Sequence, residues 1–443
     1  MQTKYTYKQI WLIAYPILIS LLMEQMIGMT DTAFLGRVGE VELGASAIAG
    51  VFYMVIFMVA FGFSIGAQIL IARRNGERQY KEIGDLFYQG IYFQVGMAAV
   101  MFLLSYCFSP IILKRIVASE HIYEAATSYL HWRVFGAFFS FSAVMFRAFF
   151  LGTTQTKTLT LNSIVMVLSN VVFNYIFVFG HFGAPEMGIA GAALGSVLAE
   201  ATAALHFFLY TFFYIDRGKY QLFRFRSGGF GLIREILNVS VWSMILYFLT
   251  IGTWFLFFVA VEHLGELPLA ISNIIRSTST LLFMPVNAFG ATACTLVSNA
   301  MGARRADDVI PIVRRIVKMC YAIVLPLIAL LCLAPHWILL IYTNDSSLIA
   351  ECTHSVYVMS SFYLIALPGN ILFQSVSGTG DTRTAFLIEM TTIVFYTLAI
   401  YWIIVTLQVD IAFCWTVEYV YWGFKLFLSF LFFKKTNWKV KKI

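Results

Sequence analysis

Apolar runs of about 20 residues, each long enough to cross a lipid bilayer, recur along this chain from end to end. Backbone facing lipid has no water to bond, which leaves few alternatives to helices. The composition agrees: 60% of the 443 residues are hydrophobic and only 12% charged, where a soluble chain has about a quarter charged. Twelve spans are predicted near 9–35, 45–72, 86–108, 123–152, 159–180, 188–214, 236–261, 268–299, 312–334, 348–378, 384–407 and 411–433. The expected fold is therefore an all-α integral membrane protein. The first span is too long for a cleaved signal, carries Glu24 and Asp31, and lacks a small-residue cleavage site.

A net charge of +7 could suggest a nucleic-acid partner, but the placement of the charge argues for a membrane. One side of the twelve spans takes Lys4, Lys8, "RRNGERQYK" (73–81), Lys157, "RGKYQLFRFR" (217–226), Arg234, Arg304, Arg305, Arg314, Arg315, Lys318, Arg383 and the "KKTNWKVKK" tail. The other side has only Arg37, Lys114 and Arg115, while Arg133, Arg147, Arg276 and Lys425 fall within spans. This asymmetry predicts cytoplasmic termini. The six cysteines show no C-x-x-C, and the seven histidines no i, i+4 pair. No P-loop and no G-x-S-x-G element occurs, so an enzyme is not expected.

The chain also repeats itself. "GEVELGASAI" from Gly39 aligns with "GELPLAISNI" from Gly265, and "GTTQTKT" (152–158) with "GTGDTRT" (378–384), both at an offset of 226 residues without a gap. Six spans per copy is an even number, so both copies enter the membrane in the same direction, as parallel repeats do. The expected organisation is an N-lobe over 1–213 and a cytoplasmic linker over 214–234. A C-lobe over 235–443 follows, with the basic tail, and a central cleft separates the lobes.

At "DTAFLGRVG", "SIGAQILIARRNGE", "RAFFLGTTQTKT", "SNVVFNYIFVFGHFGAPEMGIAGAALGS", "FGATACTLVSNAMGAR" and "SGTGDTRTA" the sequence resembles the multidrug and toxic compound extrusion (MATE) transporters. The match covers essentially the whole chain. The resemblance implies efflux of organic, often cationic compounds, driven by a sodium or proton gradient. It also implies that Asp31 is the N-lobe cation residue.

An aspartate at mid-helix costs about 2.5–3.5 kcal/mol to insert, so such carboxylates usually face the bundle interior or water. Asn170 and Asn174, at i, i+4 in span 5, point the same way. Their amide oxygens with Asp31 could form a sodium site, or they could hydrogen-bond to Asp31 and tune its protonation, or they could join helices. Glu24, on nearly the same face as Asp31, and Glu200 in span 6 complete the coupling-ion candidates. Adding 226 to Asp31 gives Phe257; Asn170, Asn174 and Glu24 map to Tyr396, Ile400 and Thr250. The ion site is thus expected in one lobe. NorM-like members of the family carry carboxylates in spans 7 and 10, but the corresponding places, near Thr250 and Ala366, are not acidic. Glu389 and Glu418 are left as structural charges or cavity residues, and Arg147 and Arg276 as partners of a carboxylate or as anion-binding residues.

Pro16, Pro285, Pro326 and Pro368 interrupt spans, and Pro16 is the candidate hinge because it shares span 1 with Asp31. Aromatics make up 17% of the chain, and those lining a cleft would suit flat cationic substrates. The sequence thus predicts a cation-coupled antiporter of the bacterial inner membrane, exporting small organic cationic or amphipathic compounds by alternating access. A monomer is expected, with no cofactor besides the coupling sodium ion or proton. The alternative is a lipid-linked oligosaccharide or peptidoglycan-precursor flippase, which should show a strongly cationic cleft.

Overall fold

The structure, a computed structural model, describes residues 5–117, 119–222, 230–343 and 345–440. Lys4, the 223–229 stretch of the expected linker with Arg224 and Arg226, and Lys441 and Lys442 of the tail lie outside the described residues. The first repeat contains α1 (Tyr7–Leu35), α2 (Glu40–Gly76), α3 (Tyr80–Ile116), α4 (Glu120–Arg133), α5 (Gly136–Gly152), α6 (Lys157–Phe179) and α7 (Ile189–Tyr214). A single turn, α8 (Arg217–Tyr220), follows. The second repeat contains α9 (Phe230–Glu262), α10 (Glu266–Gly302), α11 (Val309–Leu333), α12 (Pro335–Leu339), α13 (Ser346–Gly378), α14 (Thr382–Ile400), α15 (Ile411–Cys414) and α16 (Val417–Lys435). No strand occurs among the described residues.

Ten of these helices have the length and composition to cross a membrane, and the bent pair α4–α5 makes an eleventh. The span expected over 123–152 is therefore not one straight helix: it bends by 52° between Arg133 and Gly136. The span expected over 411–433 is split into α15 and α16, and α16 carries Glu418, Lys425, Lys434 and Lys435 within 19 residues. Those charges keep it from reading as a purely apolar span. α2, α3 and α10 each have 37 residues, which at 1.5 Å per residue is about 55 Å, well beyond the ~30 Å hydrocarbon core.

The repeat is visible in the backbone as well as in the sequence. α2 and α10 are equal in length and begin and end at the same repeat positions. Left-handed residues recur in pairs 226 residues apart: Arg78 and Arg304 (φ 61° and 56°), Thr154 and Gly380 (61° and 91°), Phe182 and Gln408 (57° and 48°). Such a φ is uncommon for residues other than glycine. Its recurrence at the same repeat positions means that the same chain reversals are built twice.

The chain divides into two compact units, Ile19–Tyr247 and Met1–Leu18 with Phe248–Ile443. The divisions fall within α1 and α9, the first helix of each repeat, rather than in the 214–234 stretch. In the second unit, Arg315 Nη1 of α11 donates to the carbonyl of Tyr5 at 2.7 Å, holding the start of α1. In the first unit, the start of α9 packs on α2: Ser240 Oγ donates to the Phe63 carbonyl at 3.0 Å, and Arg74 pairs with Glu235 at 2.9 Å. Gly62 and Gly66 permit that approach, because a Cβ on Gly66 would land on Ser240 and one on Gly62 on the backbone of Met244.

Candidate functional site

α1 and α6 of the first unit share two polar contacts in the same register. Ser20 Oγ lies 2.7 Å from Ser163 Oγ, and Asn174 Nδ2 donates to Asp31 Oδ1 at 2.6 Å, each pair being 143 residues apart in sequence. Eleven residues separate the two contacts on each helix, a rise of about 16 Å, so α1 and α6 run side by side in the same direction. Asn170, one turn before Asn174, adds a second donor to Asp31 Oδ1 at 3.1 Å. Its place at i−4 puts both amides on one face of α6.

α7 supplies a third donor. Ser196 Oγ donates to Asp31 Oδ2 at 3.3 Å and accepts from Asn170 Nδ2 at 3.3 Å. α7 can reach the site because its first half is built from small residues, "IAGAALGS". A Cβ on Gly191 would collide with the Phe177 carbonyl, and one on Gly195 with Asn174 Oδ1. Sequence patterning alone does not single out Ser196. Its signal lay in the small-residue run, and in its place one turn before Glu200.

Asp31 therefore receives three hydrogen bonds from neutral groups, and no Lys, Arg or His forms an ion pair with it among the described residues. Asn170 and Asn174 are fully buried. Asn170 Oδ1 accepts from Asn174 Nδ2 at 3.3 Å, whereas Asn174 Oδ1 is buried without a hydrogen-bond donor. Asp31 is thus a carboxylate that faces amide N–H groups and a hydroxyl and carries one negative charge without a counter-ion among the described residues. That chemistry suits a monovalent cation or a proton. Among the described residues, no cluster of three or more His, Cys, Asp or Glu side chains offers a metal site elsewhere.

Two of the carboxylates grouped with Asp31 from sequence have other partners. Glu24 turns toward α5, where Arg147 Nη1 meets its Oε1 at 2.8 Å. Glu200 forms a bidentate pair with Arg133, at 2.6 and 2.9 Å. Tyr53 completes this second cluster: its ring stacks under the Arg133 guanidinium at 3.7 Å, and its hydroxyl reaches Ser140 at 3.0 Å. Gly136 leaves room for the pair, since a Cβ there would strike both Arg133 Nη1 and Glu200 Oε2. The pair sits at the α4–α5 bend, one turn along α7 from Ser196.

At the repeat-equivalent place in the second unit, Phe257 is buried, with Trp415 4.9 Å from its ring centre. That unit has its own polar cluster, in which Thr250, Tyr396 and Trp422, the repeat equivalents of Glu24, Asn170 and Ser196, donate to Glu389 and Glu418. Glu389, fully buried, pairs with Lys425 Nζ at 2.8 Å and accepts from Tyr421 at 2.6 Å and Thr250 at 3.3 Å. Glu418 accepts from Tyr396 at 2.8 Å and Trp422 at 3.1 Å. Three of the four basic residues within spans are thus matched by carboxylates. The fourth, Arg276, lies 5.6 Å from the centre of the Phe258 ring. Pro16 lies inside α1, which continues as one helix from Tyr7 to Leu35, and the division between the units follows just beyond it.

Long apolar helices in two sequence repeats, with a carboxylate inside the first that forms no ion pair among the described residues, mark a polytopic membrane protein. The MatE family profile matches residues 16–176 and 233–402. The chain belongs to the MatE family of transporters. It is similar to "Probable multidrug resistance protein NorM" of Thermotoga maritima, with 24% identity over 98% of this chain and 94% of that protein. The protein of the same name from Shewanella oneidensis is 23% identical over 86% of this chain and 83% of its own. The fold of the chain is similar to that of a solved structure described as the outward-facing conformation of a multidrug resistance MATE family transporter of the MOP superfamily, at a TM-score of 0.90 over 98% and 97% of the two chains, with 16% identity.

Proposed function

We propose that this protein is a cation-coupled antiporter that exports organic, cationic or amphipathic compounds across a bacterial cell membrane, with both termini in the cytoplasm. The carrying observation is the Asp31 carboxylate, held inside a membrane span by Asn170, Asn174 and Ser196 without an ion-pair partner. The names of its relatives support multidrug substrates. Sodium or a proton entering Asp31 neutralises the carboxylate and relieves its donors. A cation shifts a conformational equilibrium only through its differential affinity for the two states, and α1 is the natural conductor of that difference. It carries Asp31 in one unit and begins in the other, with Pro16 just before the division. Pairing of Arg133, Arg147 and Lys425 with carboxylates argues against the strongly cationic cleft of a flippase.

The test is reconstitution in liposomes with sodium and proton gradients imposed separately, following a fluorescent cationic dye. Dye movement driven by one gradient supports the reading and identifies the ion. Dye movement that ignores both gradients contradicts it.

A further inference from the structure

The first three turns of α11 and the start of α1 form an open pocket of about 270 Å³, lined by Tyr7, Ile310, Pro311, Arg314, Arg315 and Lys318. It lies wholly within the second unit and takes no part in the Asp31 site. Arg314 and Lys318, at i and i+4, share a helix face and are exposed. Neither has a carboxylate partner among the described residues. The acids just before α11 are engaged elsewhere: Asp307 with Lys439, and Asp308 with Arg305. Arg315 spends one N–H on the Tyr5 carbonyl at 2.7 Å, which fixes the wall between the two helices.

This is a concave cationic site with an excess positive charge and one apolar side. Its volume is just below the roughly 300–1,000 Å³ of drug-sized pockets, and suits a phosphate with its glycerol rather than a transported drug. The apolar side points to the source of the phosphate. Ile310 and Tyr7 are exposed, and so is Trp11 one turn further along the same face of α1, where an acyl chain leaving the pocket would lie. The basic turns of α11 precede an apolar stretch, "MCYAIVLPLIALLCL", which sets the three cations at headgroup depth.

We infer that this pocket binds the headgroup phosphate of an anionic phospholipid, on the side of the membrane that carries the basic flanks. Arg314 and Lys318 supply the charge, Arg315 and Tyr7 form the wall, and Trp11 receives the chain. The inference is independent of coupling at Asp31.

Native mass spectrometry of the detergent-purified full chain tests it, with phosphatidylglycerol and phosphatidylcholine of the same acyl chains added in equal amounts. At about 1 kcal/mol per cation, each of Arg314 and Lys318 is worth roughly fivefold, so phosphatidylglycerol should be retained about 25-fold over phosphatidylcholine. The Arg314→Gln/Lys318→Gln variant should approach parity. Lys434→Gln/Lys435→Gln, with the same loss of charge on exposed residues at the end of α16, should keep the preference. Elution of both variants as the wild-type monodisperse species checks that they fold. Equal retention of the two lipids by the wild type, or an equal loss in both variants, overturns the inference. So does displacement of the lipid by excess inorganic phosphate alone, which would make the site one for free phosphate.

Discussion

The hydrogen bonds to Asp31 come from three side chains whose positions are set by what their neighbours lack. Asn174 can reach the carboxylate because Gly195 leaves its amide oxygen room. A methyl group at Gly195 must push that amide aside. Gly195→Ala should therefore reduce gradient-driven dye efflux, and overpacking should destabilise the fold by about 1–3 kcal/mol. Asn174→Ala removes the 2.6 Å bond, an interaction with a charged group worth about 1.5–3 kcal/mol, and should impair efflux by the same route. Efflux assays in proteoliposomes, with thermal unfolding in detergent, check both. Wild-type efflux by either variant would remove the asparagine from the account. The Asp31–Asn170–Asn174 grouping was legible in sequence because an acid inside an apolar span is costly, and because i, i+4 spacing fixes a shared face. Ser196 was not, since a serine in a small-residue run serves equally well for close packing.

At the scale of the element, α4 and α5 show where sequence patterning stops. Their 52° bend contains no proline. The Arg133–Glu200 pair sits at it, and the two partners are 67 residues apart on helices that periodicity cannot bring together. The same holds for Glu24 with Arg147, 123 residues apart. A carboxylate within a membrane span can be recognised as needing a partner, but which partner it takes depends on helix packing. Glu200→Gln should leave Arg133 uncompensated and cost about 3–5 kcal/mol, whereas Arg133→Met/Glu200→Met should recover much of the loss. Unfolding midpoints of the single and double variants decide it. A double variant less stable than the single one would mean the pair does more than satisfy itself. On α1, Pro16→Ala should slow efflux while leaving the unfolding midpoint near that of the wild type, because the proposed role of Pro16 is in bending.

For the whole molecule, the repeat was legible because a constant offset over long stretches survives divergence, and the paired left-handed residues such as Phe182 and Gln408 show the same turns made twice. The crossing of the chain between units within α1 and α9 was not legible. It depends on contacts such as Ser240 with Phe63, made by helices that hydropathy alone treats as interchangeable. The two units share a fold but differ in chemistry. Phe257 occupies the place of Asp31 and packs against Trp415, so that place has no acid, and Tyr396 and Trp422, at the positions of Asn170 and Ser196, donate to Glu418 instead. Placing an acid there, as Phe257→Asp in an Asp31→Asn background, should destabilise the protein without restoring efflux.

The central claim is that one carboxylate couples the ion to the cargo. The most direct measurement compares wild-type and Asp31→Asn protein in liposomes with equal incorporation, recording dye efflux under imposed sodium or proton gradients. Asparagine keeps the size of the side chain but can neither carry the charge nor take up a proton at neutral pH. The account predicts that dye still binds, while gradient-driven efflux by the variant falls to the level of empty liposomes. Undiminished gradient-driven efflux by Asp31→Asn would contradict it.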